Sequence, residues 1–202
     1  MAESNENIKL PKPELTGQYS VEMLLQQRRS VRLYQKSALK LTEVGQLLWS
    51  AQGVTGEQGY RTAPSAGALY PLTLYVVVGN VNELSPGLYQ YNHEKHNLMK
   101  TVNGDLRQLL QNAAHDQSCI GEAAAIFVFT AIYQRTTWKY NKRGVRYVHM
   151  EVGHAGQNFF LQAEGLGLGT VVVGSFDDDK VREVLNLDSD IQPLSLMPVG
   201  RK

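Results

Sequence analysis

Cysteine is almost absent from this chain. Cys119 is the only one in 202 residues, so no intrachain disulfide can form and the fold must stand on burial, as suits a reducing compartment. No apolar run reaches the roughly 18 residues that a membrane-spanning helix needs. An excess of either charge is missing too. Twenty Lys and Arg against 19 Asp and Glu leave a formal net charge of +1 and a pI near 7.8, without the basic bias that duplex nucleic acid selects. There is no repeat, low-complexity tract or linker. Met1 to Asn7 is polar and acidic, unlike a secretory signal. The expectation is a cytoplasmic chain without membrane or nucleic-acid partners, export behind a removed signal being left open. What is present suits a globular domain: 43% hydrophobic residues and only 19% charged ones can build a core.

Patterning supplies the elements. Ser20 can cap a helix through Val21, Leu24 and Leu25, and Thr42 a second with Val44, Leu47, Leu48 and Ala51 on one face, stopped by Gly53. Leu72–Val78 and Ala125–Ile132 read as strands buried on both faces. Leu88–Tyr91 and Asn97–Val102 read as a hairpin, Leu106–Ala114 as a helix, and 146–168 as the longest helical stretch. Thr170–Val173, Asp178–Leu185 and Leu194–Val199 complete the list as strand, helix and strand. This order implies one α+β domain over residues 20–202, a mixed, mostly antiparallel sheet flanked by helices. Residues 1–19 are expected to form an extended arm that crosses a partner subunit or frays.

Three segments carry chemical interest. Arg28-Arg29-Ser30-Val31-Arg32 sets three guanidinium forks and a hydroxyl where the first helix gives out, equally suited to a solvated helix end and to a phosphate grip. Pro64-Ser65-Ala66-Gly67-Ala68-Leu69-Tyr70-Pro71 is a small-residue loop feeding a buried strand, where backbone can approach a flat ligand. Val172-Val173-Gly174-Ser175-Phe176-Asp177 follows a strand and opens a helix, a place where ligands bind beyond strand ends. Gly153, Ala155 and Gly156 leave the long helix open to close packing, against a symmetry mate or within one subunit. His149 and His154 are five residues apart on different helix faces, so no metal site is expected with Glu151. Gly165-Leu166-Gly167-Leu168-Gly169 ends a helix and is no dinucleotide fingerprint. Cys119 has the setting of a structural thiol, and Asp177-Asp178-Asp179 of favourable charge at a helix start.

Taken in order, Arg28-x-Ser30-x-Arg32, the Pro-Ser-Ala-Gly loop, Glu151-x-x-His154-x-x-Gln157-Asn158 and Gly174-Ser175-Phe176-Asp177 resemble the flavin-dependent nitroreductase family over about residues 20–202. Arg61–Pro71, Trp138-Lys139-Tyr140 and Met197-Pro198-Val199-Gly200 resemble its SagB-type dehydrogenase branch. The resemblance implies a nitroreductase-like fold, an intertwined homodimer and FMN at the subunit interface. Arg28 and Ser30 would hold the phosphate with Arg29 nearby, and Arg32 would sit where negative charge gathers on reduction. Pro64, Ser65, Ala66, Gly67 and Leu69 would line the ring from the partner chain, Val173, Gly174 and Ser175 would offer backbone contacts, and Arg201 would be a terminal phosphate ligand. Lys139 and Tyr140 match the pair that moves protons in the azoline-oxidising branch, with packing over the ring as the alternative. The implied activity is hydride transfer between NAD(P)H, or an organic donor, and a small acceptor such as a nitroaromatic or quinone, by a ping-pong mechanism. Azoline oxidation on a modified peptide and non-catalytic flavin storage are the alternatives.

Overall fold

The computed structural model describes residues 7–202. Among them, seven strands form one sheet in the order β1-β4-β3-β2-β5-β7-β6. The strands are β1 (Asn7–Lys9), β2 (Leu72–Val78), β3 (Gly87–Asn92), β4 (Asn97–Asn103), β5 (Ala125–Ala131), β6 (Leu168–Thr170) and β7 (Gln192–Arg201). Seven α-helices cover the sheet: α1 (Val21–Gln27), α2 (Leu41–Gln52), α3 (Arg107–Ala113), α4 (Ser118–Gly121), α5 (Gln134–Tyr140), α6 (Arg143–Gly165) and α7 (Asp178–Val184). The domain is α+β, with the nitroreductase-like architecture that the motifs imply. Every ladder is antiparallel. Parallel pairing is confined to the isolated bridges Ser30↔Thr170 and Leu39↔Val81.

The core explains why β2 and β5 read as continuous apolar runs. They pair centrally from Leu72↔Ala131 to Val78↔Ala125 and are covered on both faces. Leu74, Val76 and Val78 join α2 and α6 in one cluster, while Tyr75 and Val77 join α3, α4 and α7 in another. Phe159 of α6 sits at the centre of the first, its ring 4.7 Å from Phe127 and 5.8 Å from Phe129, edge to face. Truncating so well packed an aromatic to alanine costs about 3–5 kcal/mol.

Several boundaries differ from expectation, each for a local reason. Helix α2 starts at Leu41 behind Lys40, because Glu43 Oε2 accepts from the Lys40 amide at 2.8 Å, and Thr42 therefore lies inside the first turn. Gly53 does end α2, but through space: a Cβ there would fall 2.1 Å from Trp49 Cδ1. Helix α6 begins at Arg143 rather than 146, and its capping residue Lys142 has helical backbone angles and no side-chain cap to signal the start. Strand β6 stops at Thr170, since Val173 meets the sheet only through a bridge to Leu196. Helices α4 and α5 are additions to the expected list.

The segment expected as an arm forms part of this sheet: Ile8 pairs with Leu98 of β4, and Leu10 is buried. Residues 1–6 of it lie outside the described residues. Among the described residues no helix is long and apolar enough to cross a membrane.

Candidate active site

Past α1 the chain straightens and lies across the β6–β7 ladder. The Val31 amide donates to Thr170 O at 2.9 Å and the Gln35 amide to Arg201 O at 3.0 Å. Two glycines that face each other across the ladder, Gly169 and Gly200, make room for this crossing. A Cβ on Gly169 would sit 2.6 Å from Val31 Cγ1, and one on Gly200 2.6 Å from Tyr34 Cβ. With Val31 and Tyr34 turned inward, Arg29, Ser30 and Arg32 are exposed. The Arg28 guanidinium lies 4.9 Å above the Phe160 ring, and Arg29 Nη1 donates to the carbonyls of Gln26 and Arg28. Among the described residues none of the three arginines has a carboxylate partner; the ion pairs belong to other cations.

The small-residue loop is tightly wound. Ser65 Oγ accepts from the Tyr70 amide at 2.9 Å, and Gly67, Ala68 and Tyr70 all have left-handed backbone, with φ of 63°, 55° and 46°. Alanine and tyrosine adopt this region at a cost, and such strain clusters at functional sites. At Gly67 the absence of a side chain leaves room for two others. A Cβ there would lie 2.7 Å from Tyr140 Oη and 3.0 Å from Lys139 Nζ. Helix α5 thus brings an amine and a phenol to one point above the loop, Tyr140 being steadied by an edge-to-face contact with Tyr147 at 5.0 Å.

Behind the loop lies a buried polar cluster. Glu151 of α6 is 2% exposed, and burial pushes its carboxyl up to about 7, against the opposing pull of Ser65, Arg61 and Gln52. Its Oε1 and the neighbouring Gln52 Nε2 make no hydrogen bond of proper geometry despite that proximity. Arg61 reaches Gln52 Oε1 at 2.7 Å and His93 Nε2 at 2.8 Å, its guanidinium 4.4 Å from the Tyr70 ring.

The two halves of the expected site flank α6 on opposite faces. Arg28 stacks on Phe160, whereas the loop is tied to the helix by Asn158 Nδ2 donating to Thr62 O at 3.1 Å. Residues two apart on a helix point about 200° away from each other. Within one chain the two segments therefore meet different faces of α6.

Comparison with known proteins identifies the family. The profile described as Nitroreductase family matches residues 25–201. The chain belongs to the nitroreductase family. It is 46% identical over 195 residues to a Methanocaldococcus jannaschii protein named for the nitroreductases, covering 96% of each chain. A nitroreductase-named structure from Ralstonia eutropha superposes with a TM-score of 0.85 at 29% identity, over 96% of this chain and 89% of that one. The Escherichia coli microcin synthetase McbBCD complex, solved with truncated pro-MccB17 bound, matches with a TM-score of 0.73 at 25% identity over 96% and 77%. The protein is thus an oxidoreductase of this family.

In this nitroreductase-family chain the expected residues fall into three groups. Arg28, half-buried on Phe160, and the exposed Arg29, Ser30 and Arg32 form the cationic segment. Pro64, Ser65, Ala66, Gly67 and Leu69 form the loop, which meets Lys139 and Tyr140 of α5 at Gly67. Val173 is held by paired backbone bonds to Leu196, leaving Gly174 facing open space and Ser175 exposed, its carbonyl accepting from Gln117 Nε2. Arg201 is differently employed: its guanidinium forks onto Glu43 at 2.9 and 2.8 Å, fastening the end of β7 to the start of α2. His149 Nε2 lies 2.6 Å from Tyr133 Oη, and Cys119 is buried with its thiol pushed upward by desolvation. Sequence reasoning gave no role to Gln52, Arg61 or His93. The only signal was an arginine beside a loop of small residues.

Proposed function

We propose that this oxidoreductase works as a homodimer with FMN, passing electrons from NAD(P)H to a small acceptor such as a nitroaromatic or quinone in ping-pong order. The observation that carries the reading is the set of three arginines around Ser30, Arg29 and Arg32 exposed and Arg28 half-buried on Phe160, without a carboxylate partner among the described residues and held in place by Gly169 and Gly200. Unneutralised guanidinium forks beside a hydroxyl suit a phosphate monoester, so the residues fit the cofactor. Bound FMN would supply two-electron exchange that side chains cannot perform. Arg28 and Ser30 grip its phosphate, Arg32 contributes fixed positive charge, and Gly174 and Ser175 offer backbone close by. Since the loop lies on the far face of α6, a second subunit completes each site. Helix α1 buries no residue within the chain and exposes Val21, Met23 and Leu25, and Gly153 of α6 faces open space. These are surfaces a partner would cover.

The test is direct. Protein reconstituted with FMN should be yellow and dimeric by light scattering, and should retain FMN at least tenfold more tightly than riboflavin, which lacks the phosphate. Equal retention of both would remove the phosphate grip from the argument.

A second reading, azoline dehydrogenase on a modified peptide, is favoured by the meeting of Lys139 Nζ and Tyr140 Oη over Gly67 and by the likeness to the microcin synthetase complex. A base and a relay at one point could take a proton as hydride leaves the same substrate. If Lys139→Ala and Tyr140→Phe abolish azoline oxidation while nitroarene reduction survives, this reading holds. If azoline substrates are never oxidised, it fails.

A further inference from the structure

Strand β2 ladders with β3 only from Tyr75 to Val78. Beyond that, Leu72–Leu74 and Tyr91–His93 line a cavity of about 410 Å³, within the range of small-ligand sites. We infer that this cavity binds a small organic carboxylate, gripped by Arg61 and Arg135. The inference does not depend on the flavin reading.

The polar wall is built to donate. Gln52 lines the cavity at 2% exposure, its Oε1 accepting from Arg61 Nη1 at 2.7 Å while its amide nitrogen lies beside the buried Glu151 carboxyl. Arg61 holds its charge there without an ion pair among the described residues. Its contact with His93 also fixes that ring. A guanidinium can only donate, so His93 Nε2 must accept, and the imidazole is neutral with its proton on Nδ1. Burial and Arg61 both lower the His93 pKa, in keeping with this. His93 therefore satisfies one arm of the fork without neutralising it.

Arg135 faces the same space, resting its Nη1 on Thr73 Oγ1 at 3.4 Å, a weak hold that an anion would displace. Among the lining residues Lys95 and Glu94 cancel each other, leaving Arg61 and Arg135 as the positive excess, which the buried Glu151 behind Arg61 offsets in part. The opposite wall, Leu72, Leu74, Tyr91 and Met99, is apolar and selects an acid with a hydrocarbon body over a bare inorganic anion. Ligand class follows from both walls: one carboxylate on an apolar frame of up to about ten heavy atoms, the size such a volume holds.

The experiment is calorimetric titration of the whole protein as purified with 4-phenylbutyrate, and with 4-phenylbutyramide as its neutral isostere. Saturable binding of the acid, at least tenfold tighter than the amide, is expected. Arg135→Gln, on an exposed side chain, should weaken it about fivefold or more, and Arg61→Lys, which keeps the charge but loses the fork, should weaken it likewise. N-acetyl-leucine, which fits the same volume, separates sources as a further probe: its binding assigns the site to a peptide C-terminus, while binding of phenylbutyrate alone assigns a free acid. Equal affinity for acid and amide, no saturable binding, or acid binding indifferent to both substitutions would overturn the inference.

Discussion

Replacing Gly67 by alanine tests the junction of loop and α5 more sharply than deleting either side chain above it. The backbone there has φ 63° and ψ 18°, a left-handed conformation that costs an L-residue about 1–2 kcal/mol. The new Cβ would also stand 2.7 Å from Tyr140 Oη and 3.0 Å from Lys139 Nζ. Both neighbours are side-chain ends, so they move rather than clash outright. Lys139 yields freely, whereas Tyr140 is half-buried against Tyr147 and adds up to about 1 kcal/mol of overpacking. A total loss of about 1–3 kcal/mol lowers the melting temperature of a chain this long by about 2–12 °C. Gly59→Ala separates the two causes, because Gly59 has φ 73° with nothing within 4 Å of its Cβ. The difference between the variants reads the contact alone. Melting curves are compared at one protein concentration, since assembly shifts them. Turnover that uses Lys139 and Tyr140 should fall beyond what Gly59→Ala causes. If Gly67→Ala melts with the wild type and turns over normally, the convergence above Gly67 has no consequence and the reasoning is wrong.

Three further outcomes follow from the same geometry. Arg28→Ala should mainly weaken FMN retention, and Arg32→Ala should also lower the potential of bound flavin, read by equilibrium redox titration; equal effects on both properties would refute the division of labour. Gly169→Ala places a Cβ 2.6 Å from Val31 Cγ1, and should cost about 1–3 kcal/mol in denaturant unfolding while loosening FMN by lifting the arginine segment. The pH dependence turns on Glu151. Burial raises its folded pKa to about 7 from 4.5, so the folded state keeps a proton that the unfolded chain has released. Wild type therefore loses stability from this group as pH rises from about 4.5 to 7, and none below. The stability gap between Glu151→Gln and wild type should be near zero at pH 4.5 and open toward about 3 kcal/mol above pH 7; a gap that does not change with pH sinks the assignment.

The fold was legible wherever one element carried its own signal. Ser20 capped α1, its Oγ accepting from the Met23 amide, and Asp177 capped α7. The apolar run of β2 matched the observed strand to the residue. Gly167, with φ 69°, turned the chain out of α6 as the glycine series implied. Legibility failed where the deciding group was remote. Helix α5 has no side-chain cap and begins on Tyr133 in helical backbone, so nothing near Trp138 announced it. Arg201 carried the look of a phosphate ligand, but its partner Glu43 lies 158 residues away.

The site itself was half legible for the same reason. Motifs named the arginine segment and the loop, and both occur as small or cationic residues in short windows. Their relation was beyond any window, because it depends on which face of α6 each one meets. Arg28 on Phe160 and Thr62 on Asn158 are separated by two residues of helix, yet that step of about 200° turns two halves of one expected pocket away from each other. A single point contact shows how strongly this binds the argument: had Arg28 stacked on Gln162, one turn from Asn158, a monomer could have closed the site alone. The face chosen by Phe160 is what leads us to propose that a second subunit completes the site. Diluting the protein below its dimer dissociation constant should release flavin and activity together, in one transition; flavin retained by monomers would show that one face of α6 suffices.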